Sequence, residues 1–444
     1  MSRRVRVGIV SLGCPKTLVD SETILGKLSA RRFQLAGPAA GCEVVIVNTC
    51  SFIRDARQES VEKILELIEL KKSGRLRCLV VVGCLVQQFP DELRGQMGEV
   101  DAFLGTGQYD EIARAVDRAL GGEKVFSVEQ PGYLATSLER RVRLSARFSR
   151  YLKISEGCDR RCSFCTIPQF RGKHRSRTPE DIFREARRLA AEGAKELILT
   201  GQDTTGYGKD LAAHPDLPLL LTKLDRIGGL RWIRLLYAYP SCVTPELIAT
   251  LRDARHVCHY LDLPIQHASD RILRAMRRGT SRSNMTRLIG RLRRAVPEIA
   301  LRTTFIVGFP GETERDFREL LDFIREIRFE RLGIFTYSAE QGTPAAKLPG
   351  QIAAGLKRER LDRAMRLQQT LSLENHRRWT GRELEVLVEE KVAGTHNRWV
   401  GRSYREAPEI DGRILIDSAR PLSAGRFYRV TITGGDAYDL VAKS

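Results

Sequence analysis

The chain has 444 residues, 42% of them hydrophobic, and a formal net charge of +19. That length calls for two to four domains, no run of about 18 apolar residues offers a membrane span, and the opening Met1-Ser2-Arg3-Arg4-Val5 lacks the apolar stretch and cleavage site of a signal peptide. The cytoplasm is therefore the expected location, where ten cysteines argue for metal binding or catalysis more than for disulfides. The positive excess suits an anionic partner such as nucleic acid or a ribonucleoprotein. Solvated helix faces such as Arg184-Glu185-Ala186-Arg187-Arg188 account for it equally well.

Residues 1–130 alternate short apolar runs with helical patterns. Residues 5–10 lead into Ser11-Leu12-Gly13-Cys14, residues 44–47 into Asn48-Thr49-Cys50, and residues 79–82 into Gly83-Cys84. Between them, 55–72 places Val61, Ile64, Leu65 and Ile68 at helical spacing. This alternation predicts an α/β domain with a doubly wound parallel sheet. Parallel strands present their carboxyl ends on one edge, where such folds bind ligands. Cys14, Cys50 and Cys84 each follow a strand, so they converge there. Three thiolates suit an iron–sulfur cluster. Zinc competes, but structural zinc wants four ligands, and three unrelated buried cysteines remain the bland alternative. Cys42 and Cys78 precede their strands and, with Cys242 and Cys258, read as core or incidental residues. Lys16 is a candidate catalytic residue, placed to neutralise cluster charge; a solvated surface lysine is its alternative.

Gln130-Pro131-Gly132 opens a linker, placed at 131–150, that carries Arg140, Arg141, Arg143, Arg147 and Arg150. Strand candidates then fall at 151–154, 196–200, 232–237, 259–263, 302–307 and 333–336. Six β/α units predict an open (β/α)6 partial barrel rather than the full eight-unit one. The loop after its first strand reads Ser155-Glu156-Gly157-Cys158-Asp159-Arg160-Arg161-Cys162-Ser163-Phe164-Cys165. Three thiolates in C-x3-C-x2-C spacing can grip three irons of a cubane [4Fe–4S] cluster, whereas a complete protein shell needs four. One iron stays open, which points to a catalyst rather than an electron carrier.

Gln202 and Asp203 follow the second barrel strand, and Gln266 and His267 the fourth, a placement that favours cofactor contact. The fifth runs into Gly308-Phe309-Pro310-Gly311-Glu312, where glycines allow close approach to a ligand. Ordinary loop capping is the alternative for Asp203 and Glu312, and a hydrogen-bonded structural role for His267. The run 171–177, with Lys173, His174 and Arg175, either contacts anionic substrate or covers a helix start.

Residues 356–379 read as a long basic helix spanning domains. Apolar strands at 384–389, 413–416 and 427–433, with turns at Gly394, Gly401, Asp411-Gly412 and Gly434-Gly435, predict a small five-stranded all-β barrel over 380–444. Ten Lys and Arg balance ten Asp and Glu over 381–444. The positive excess therefore lies upstream, which weakens a simple electrostatic grip on RNA by this barrel.

Cys158, Cys162 and Cys165, with Phe164 just before the third cysteine, resemble the signature of the radical S-adenosylmethionine superfamily. There the open iron chelates S-adenosylmethionine, and reductive cleavage yields a 5′-deoxyadenosyl radical; Phe164, Gln202, Asp203, Gln266, Gly308 and Glu312 are the candidate cofactor contacts. With the N-terminal triplet and a C-terminal barrel like a TRAM domain, essentially the whole chain resembles the methylthiotransferase family. Ser11-Leu12-Gly13-Cys14-Pro15-Lys16-Thr17-Leu18-Val19-Asp20-Ser21-Glu22, Tyr151-Leu152-Lys153-Ile154, Ile167-Pro168-Gln169-Phe170-Arg171-Gly172-Lys173 and Asp436-Ala437-Tyr438-Asp439-Leu440 are similar to one branch of it. That branch methylthiolates the β-carbon of an aspartate of small-subunit ribosomal protein S twelve. Thr17 and Asp159 stand where it usually has Asn. The resemblance implies two [4Fe–4S] clusters, an auxiliary one on Cys14, Cys50 and Cys84 and a radical one on Cys158, Cys162 and Cys165. S-adenosylmethionine would be both methyl donor and radical source. The implied partners are ribosomal protein S twelve, free or in the particle, a reductant such as flavodoxin or ferredoxin, and a sulfur source. The alternatives are the same chemistry on tRNA adenosine and an iron–sulfur redox or RNA-binding protein.

Overall fold

A computed structural model describes residues 4–30, 33–37 and 41–444; residues 1–3, part of the stretch read above for a leader, lie outside it. The first sheet holds β1 (Val5–Ser11), β2 (Phe33–Leu35), β3 (Val44–Thr49), β4 (Cys78–Gly83), β5 (Ala102–Leu104) and β6 (Val125–Ser127) in the order β2-β1-β3-β4-β5-β6. Every pairing in it is parallel. β3 and β4 are buried at all positions because helices pack on both faces, which is why they read as unbroken apolar runs. One face meets Ile24, Leu25, Leu28, Ile112 and Val116; the other meets Ile64, Leu67, Ile68, Leu85 and Val86. The strand order reverses between β1 and β3, and the crevice at their carboxyl ends is where such sheets bind ligands.

The second sheet adds β7 (Ser149–Lys153), a short ribbon of β8 (Ser155–Glu156) with β9 (Arg175–Ser176), and then β10 (Glu196–Thr200), β11 (Trp232–Leu235), β12 (Val257–Asp262), β13 (Ala300–Val307) and β14 (Arg331–Thr336). Its order, β14-β13-β12-β11-β10-β7, follows the chain and leaves β7 and β14 as edges, so it is the expected open six-unit barrel. Its outer face packs on helices through Ile182, Leu220, Leu247, Leu288 and Phe317. Its other face carries Tyr151, Ile198, Trp232, Leu236 and Tyr260, which meet Leu18 and Val19 from the first domain and Leu387, Ala407 and Phe427 from the last. The flanking domains therefore fill what a six-stranded barrel cannot close by itself.

The last domain closes β15 (Glu383–Lys391), β16 (Arg398–Arg402), β17 (Ile414–Asp417), β18 (Phe427–Gly435) and β19 (Leu440–Lys443) into a barrel, in the order β15-β16-β17-β19-β18. The helix Ala354–Arg377 packs on β13, β14 and β18, so it does bridge the two barrels.

The stretch after Gln130 has little regular structure, yet it is no loose tether. Arg141 is buried and pairs with Glu22 at 2.6 Å and Glu185 at 2.5 Å, one from each flanking domain. Val142 N donates to Glu22 O at 2.9 Å, and a Cβ on Gly26 would strike Arg140 O at 1.8 Å. Its arginines staple the domains together. Among the described residues, no helix is long and apolar enough to cross a membrane.

Candidate functional site: two cysteine triplets joined by a buried ion network

Cys14, Cys50 and Cys84 stand just past the carboxyl ends of β1, β3 and β4, three adjacent strands. Cys14 caps the helix Pro15–Ser29 at its N-terminus, with Pro15 in the first turn, a position where a missing N–H costs nothing. Cys50 is pinned by Ser60, whose Oγ accepts from Cys50 N at 3.1 Å and donates to Cys50 O at 3.0 Å. Gly13 has φ +92, and a Cβ there would meet Cys50 Cβ at 2.5 Å and Sγ at 2.8 Å. Only glycine allows this approach.

The three thiols feel one another. Burial and then the neighbouring Cys14 push the Cys50 thiol up. Burial pushes Cys84 up to about 12, against the pull of Arg171. Burial also opposes ionisation of Cys14, but Lys16, the Thr17 hydroxyl and Arg171 outweigh it, and its thiol is lowered. Lys16 sits with Nζ 3.4 Å from the centroid of the Tyr237 ring, at the carboxyl end of β11. It is therefore lodged between the two domains rather than in bulk solvent.

The second triplet follows β8. Gly157 has φ +78, and a Cβ would clash with Lys173 O at 2.0 Å; this close backbone approach folds the loop onto β9, with Cys158 N donating to Gly172 O at 3.1 Å. Ser163 N donates to Met276 O at 3.1 Å and Ser163 Oγ to Ala275 O at 2.7 Å. Phe164 packs among Ile272, Met276, Phe309 and Tyr337. Burial raises the Cys158 thiol to about 11 and the Cys165 thiol to about 12, and each also feels Cys162. Arg278, buried, donates from Nη1 to Cys162 Sγ at 3.4 Å.

Between the triplets lies a network of four buried charges. Lys153 pairs with Asp20 and, at 2.7 Å, with Glu156. Arg171 pairs with Asp20 at 2.7 Å and reaches Glu156 at 3.4 Å, and its Nη2 donates to Cys84 Sγ at 3.1 Å. Burying two cations is costly unless they are paired, and here two carboxylates from two domains balance them.

The other sequence candidates divide into two groups. Gln202 Nε2 donates to Glu156, while its Oε1 is buried without a partner; it lies beside the network and has capacity to spare for a ligand. Gln266 adopts φ +79 and bridges to Phe305. Asp203 caps the turn Thr204–Gly206 and holds Arg160 Nε at 2.7 Å, so its carboxylate is spent on the radical loop. Glu312 Oε2 accepts from Gly308 N at 2.9 Å, and Oε1 pairs with Arg360 at 2.7 Å. Gly308 itself faces Lys357. His267 Nδ1 accepts from Ser269 N at 2.9 Å. Its other nitrogen therefore carries the proton, 3.4 Å from Glu312 and, among the described residues, without a hydrogen-bond acceptor. In the run 171–177, Arg171 and Arg177 turn inward, Arg177 onto Glu185 and Asp181, so the run braces the interior and its two ends offer nothing to an external anion.

Cys78 and Cys258 are core residues, as expected. Cys242 lies outside the core: it is half-buried, and Arg160 Nη2 donates to its sulfur at 2.9 Å. Sequence reasoning missed Asp20, Lys153, Glu156 and Arg171 as a unit. The one available signal was charge inside an otherwise apolar strand, at Lys153.

Among the described residues no group of three His, Cys, Asp or Glu side chains gathers to hold a metal ion. A cubane makes a different demand, since each thiolate binds its own iron and the three need not gather on one point. The all-sulfur sets, the cationic N–H donor beside each, and the spare Gln202 oxygen fit iron–sulfur sites with a small polar ligand alongside.

The Radical SAM superfamily matches residues 152–324, the uncharacterized protein family UPF0004 matches residues 6–105, and the TRAM domain matches residues 380–444. A Pelotomaculum thermopropionicum protein named ribosomal protein uS12 methylthiotransferase RimO is 50% identical over 440 residues, 99% of each chain. One of the same name from Geobacter sulfurreducens is 46% identical over 439 residues, 99% of this chain and 98% of that one. The chain belongs to the RimO methylthiotransferases of the radical S-adenosylmethionine superfamily. Enzymes of this family use S-adenosylmethionine and two [4Fe–4S] clusters. The radical S-adenosylmethionine methyltransferase TsrM from Kitasatospora setae shares the fold, with a TM-score of 0.57 and 16% identity over 83% of this chain and 89% of that one.

Proposed function

We propose that this enzyme inserts a methylthio group at the β-carbon of an aspartate of ribosomal protein uS12. The observation that carries the reading is the pairing of two incomplete cysteine triplets across one buried ion network, in a chain whose full-length relatives bear that activity in their names. Cys14, Cys50 and Cys84 would hold the auxiliary cluster, and Cys158, Cys162 and Cys165 the radical one. Bound clusters and S-adenosylmethionine supply the electron, the radical and the methylthio group.

The chain's own residues do the positioning. Phe164 anchors the radical loop in an apolar cluster, and Asp203 fixes Arg160 on the same loop. Gln202 keeps a buried oxygen unpartnered, which the bound cofactor would meet. Lys16 and Tyr237 close the gap between the domains, which keeps water from the space where the reacting groups meet. The division we propose is 1–130 for the auxiliary domain, 131–150 for the strap, 151–379 for the radical domain and 380–444 for the TRAM domain. The work is placed in the cytoplasm, with a flavodoxin- or ferredoxin-like reductant and a separate sulfur source, on uS12 free or in the ribosomal particle.

The test is anaerobic reconstitution with S-adenosylmethionine, reductant, sulfide and uS12, followed by peptide mass spectrometry. Methylthio-aspartate supports the reading. A methylthio-nucleoside from added tRNA in its place, or no 5′-deoxyadenosine at all, overturns it.

A further inference from the structure

Arg171 belongs to one triplet by sequence and to the other by contact. It ends the short helix Ile167–Arg171, which starts two residues after Cys165. Yet its Nη2 donates to Cys84 Sγ at 3.1 Å and its Nη1 to Asp20 Oδ2 at 2.7 Å, with Glu156 Oε1 at 3.4 Å. The side chain is buried. The carboxylates of Asp20 and Glu156 are shared with Lys153, so the network is neutral before any thiolate is counted. Arg171 thus spends one arm of its fork on charge balance and the other on a sulfur. Arginine is suited to this because its donors lie in a rigid plane and it stays protonated.

We infer that Arg171 is a positioning residue that raises the reduction potential of the site formed by Cys14, Cys50 and Cys84. The inference rests on the reading of the six cysteines as two cluster sites. A one-electron reduction there, by an external low-potential reductant, adds negative charge beside Arg171. A cationic N–H aimed at the ligand sulfur favours that added charge, most strongly in a dry interior. Removing the donor therefore makes reduction harder.

The experiment starts from the C158A/C162A/C165A variant, reconstituted anaerobically with iron and sulfide, so that only the N-terminal site gives a signal. Its midpoint is measured by dithionite titration followed by electron paramagnetic resonance, with Arg171, R171K and R171Q compared at equal iron content. The expected result for R171Q is at least a tenfold loss in the reduction equilibrium, a 59 mV fall for one electron. R171K, which keeps the charge without the fork, should fall less and show altered g-values. If R171Q does not retain iron, R171K decides by a lowered midpoint together with altered g-values. Unchanged midpoints and spectra overturn the role of Arg171 while leaving the site standing. A parent variant that binds no iron at all overturns the reading of Cys14, Cys50 and Cys84 as well.

Discussion

Glu196 and Arg402 form a buried pair between the central sheet and the C-terminal barrel, with Oε2 2.8 Å from Nη2 and the carboxylate fully inaccessible. Glu196 also accepts from Arg234 Nε and from Ser149 Oγ, each at 2.8 Å. Burial opposes its ionisation, but Arg402 and Arg234 overcome that and hold its pKa at about 2, against 4.5 ordinarily. A depressed carboxylate stabilises the fold above the unfolded value, and that contribution is lost as pH falls from about 4.5 toward 2. The linkage is on the order of 3 kcal/mol. Glu196→Gln should lower the denaturation midpoint at neutral pH and flatten its pH dependence between 4.5 and 2. Equal slopes in wild type and variant would show that acid loosening comes from elsewhere.

His376 titrates in a higher window at the same junction. Its Nδ1 lies 2.7 Å from Asp436 O and its Nε2 2.8 Å from Arg331 Nη1. A carbonyl only accepts and a guanidinium only donates, so the ring is neutral with its proton on Nδ1. Burial and then Arg331 push its pKa down to about 4. The folded state binds fewer protons than the unfolded one, so stability falls as pH drops from 6.5 to about 4. His376→Leu should cost about 1–3 kcal/mol at pH 8 and remove this slope. Chemical denaturation at pH 8, 6 and 4.5 checks both.

Much of this architecture could be read directly because burial on both sheet faces writes itself as unbroken apolar runs. Residues 196–200 were placed to the residue, and residues 44–47 and 79–82 fell within a residue or two of the strands' ends. Phe33–Leu35, Ala102–Leu104 and Val125–Ser127 escaped, since three residues carry no period. β16 (Arg398–Arg402) and β19 (Leu440–Lys443) escaped because each carries only two or three apolar residues, too few to show a period. The cysteines were legible as two sets because Cys14, Cys50 and Cys84 each follow a strand while Cys158, Cys162 and Cys165 share one closely spaced loop. The ion network that joins them was not. Asp20 and Lys153 are 133 positions apart, and a charge gives no sign of its partner until the fold supplies it. The stretch after Gln130 reads as a linker for the same reason, until Glu22 and Glu185 are found paired with Arg141 and Arg143.

Gly13→Ala should damage one triplet and spare the other. The added Cβ meets Cys50 on a backbone of φ +92, and a strained residue of this kind costs roughly 1–3 kcal/mol. Relief requires Cys50 to move away from Cys14. Reconstituted protein should then carry about half the wild-type iron, with the signal of the Cys158 loop intact. Full iron content would mean that the crowding at Gly13 is absorbed without moving Cys50.

Replacing each triplet by alanine separates the two sites functionally. The chain places Cys158, Cys162 and Cys165 on one loop beside Gln202 and Phe164, and the N-terminal domain meets the flanks of that loop, through Asp20 on Lys153 and Arg171, Cys84 on Arg171 and Thr106 on Phe170. The C14A/C50A/C84A variant should therefore still cleave S-adenosylmethionine to 5′-deoxyadenosine, at a rate within about tenfold of wild type, while forming no methylthio product. The C158A/C162A/C165A variant should lose cleavage altogether yet keep about half the iron. Chromatographic assay of 5′-deoxyadenosine together with peptide mass spectrometry reads both outcomes. Cleavage abolished by the N-terminal substitutions in a folded protein would show that the two sites act as one unit, with the Asp20–Arg171 bridge as the part through which each depends on the other.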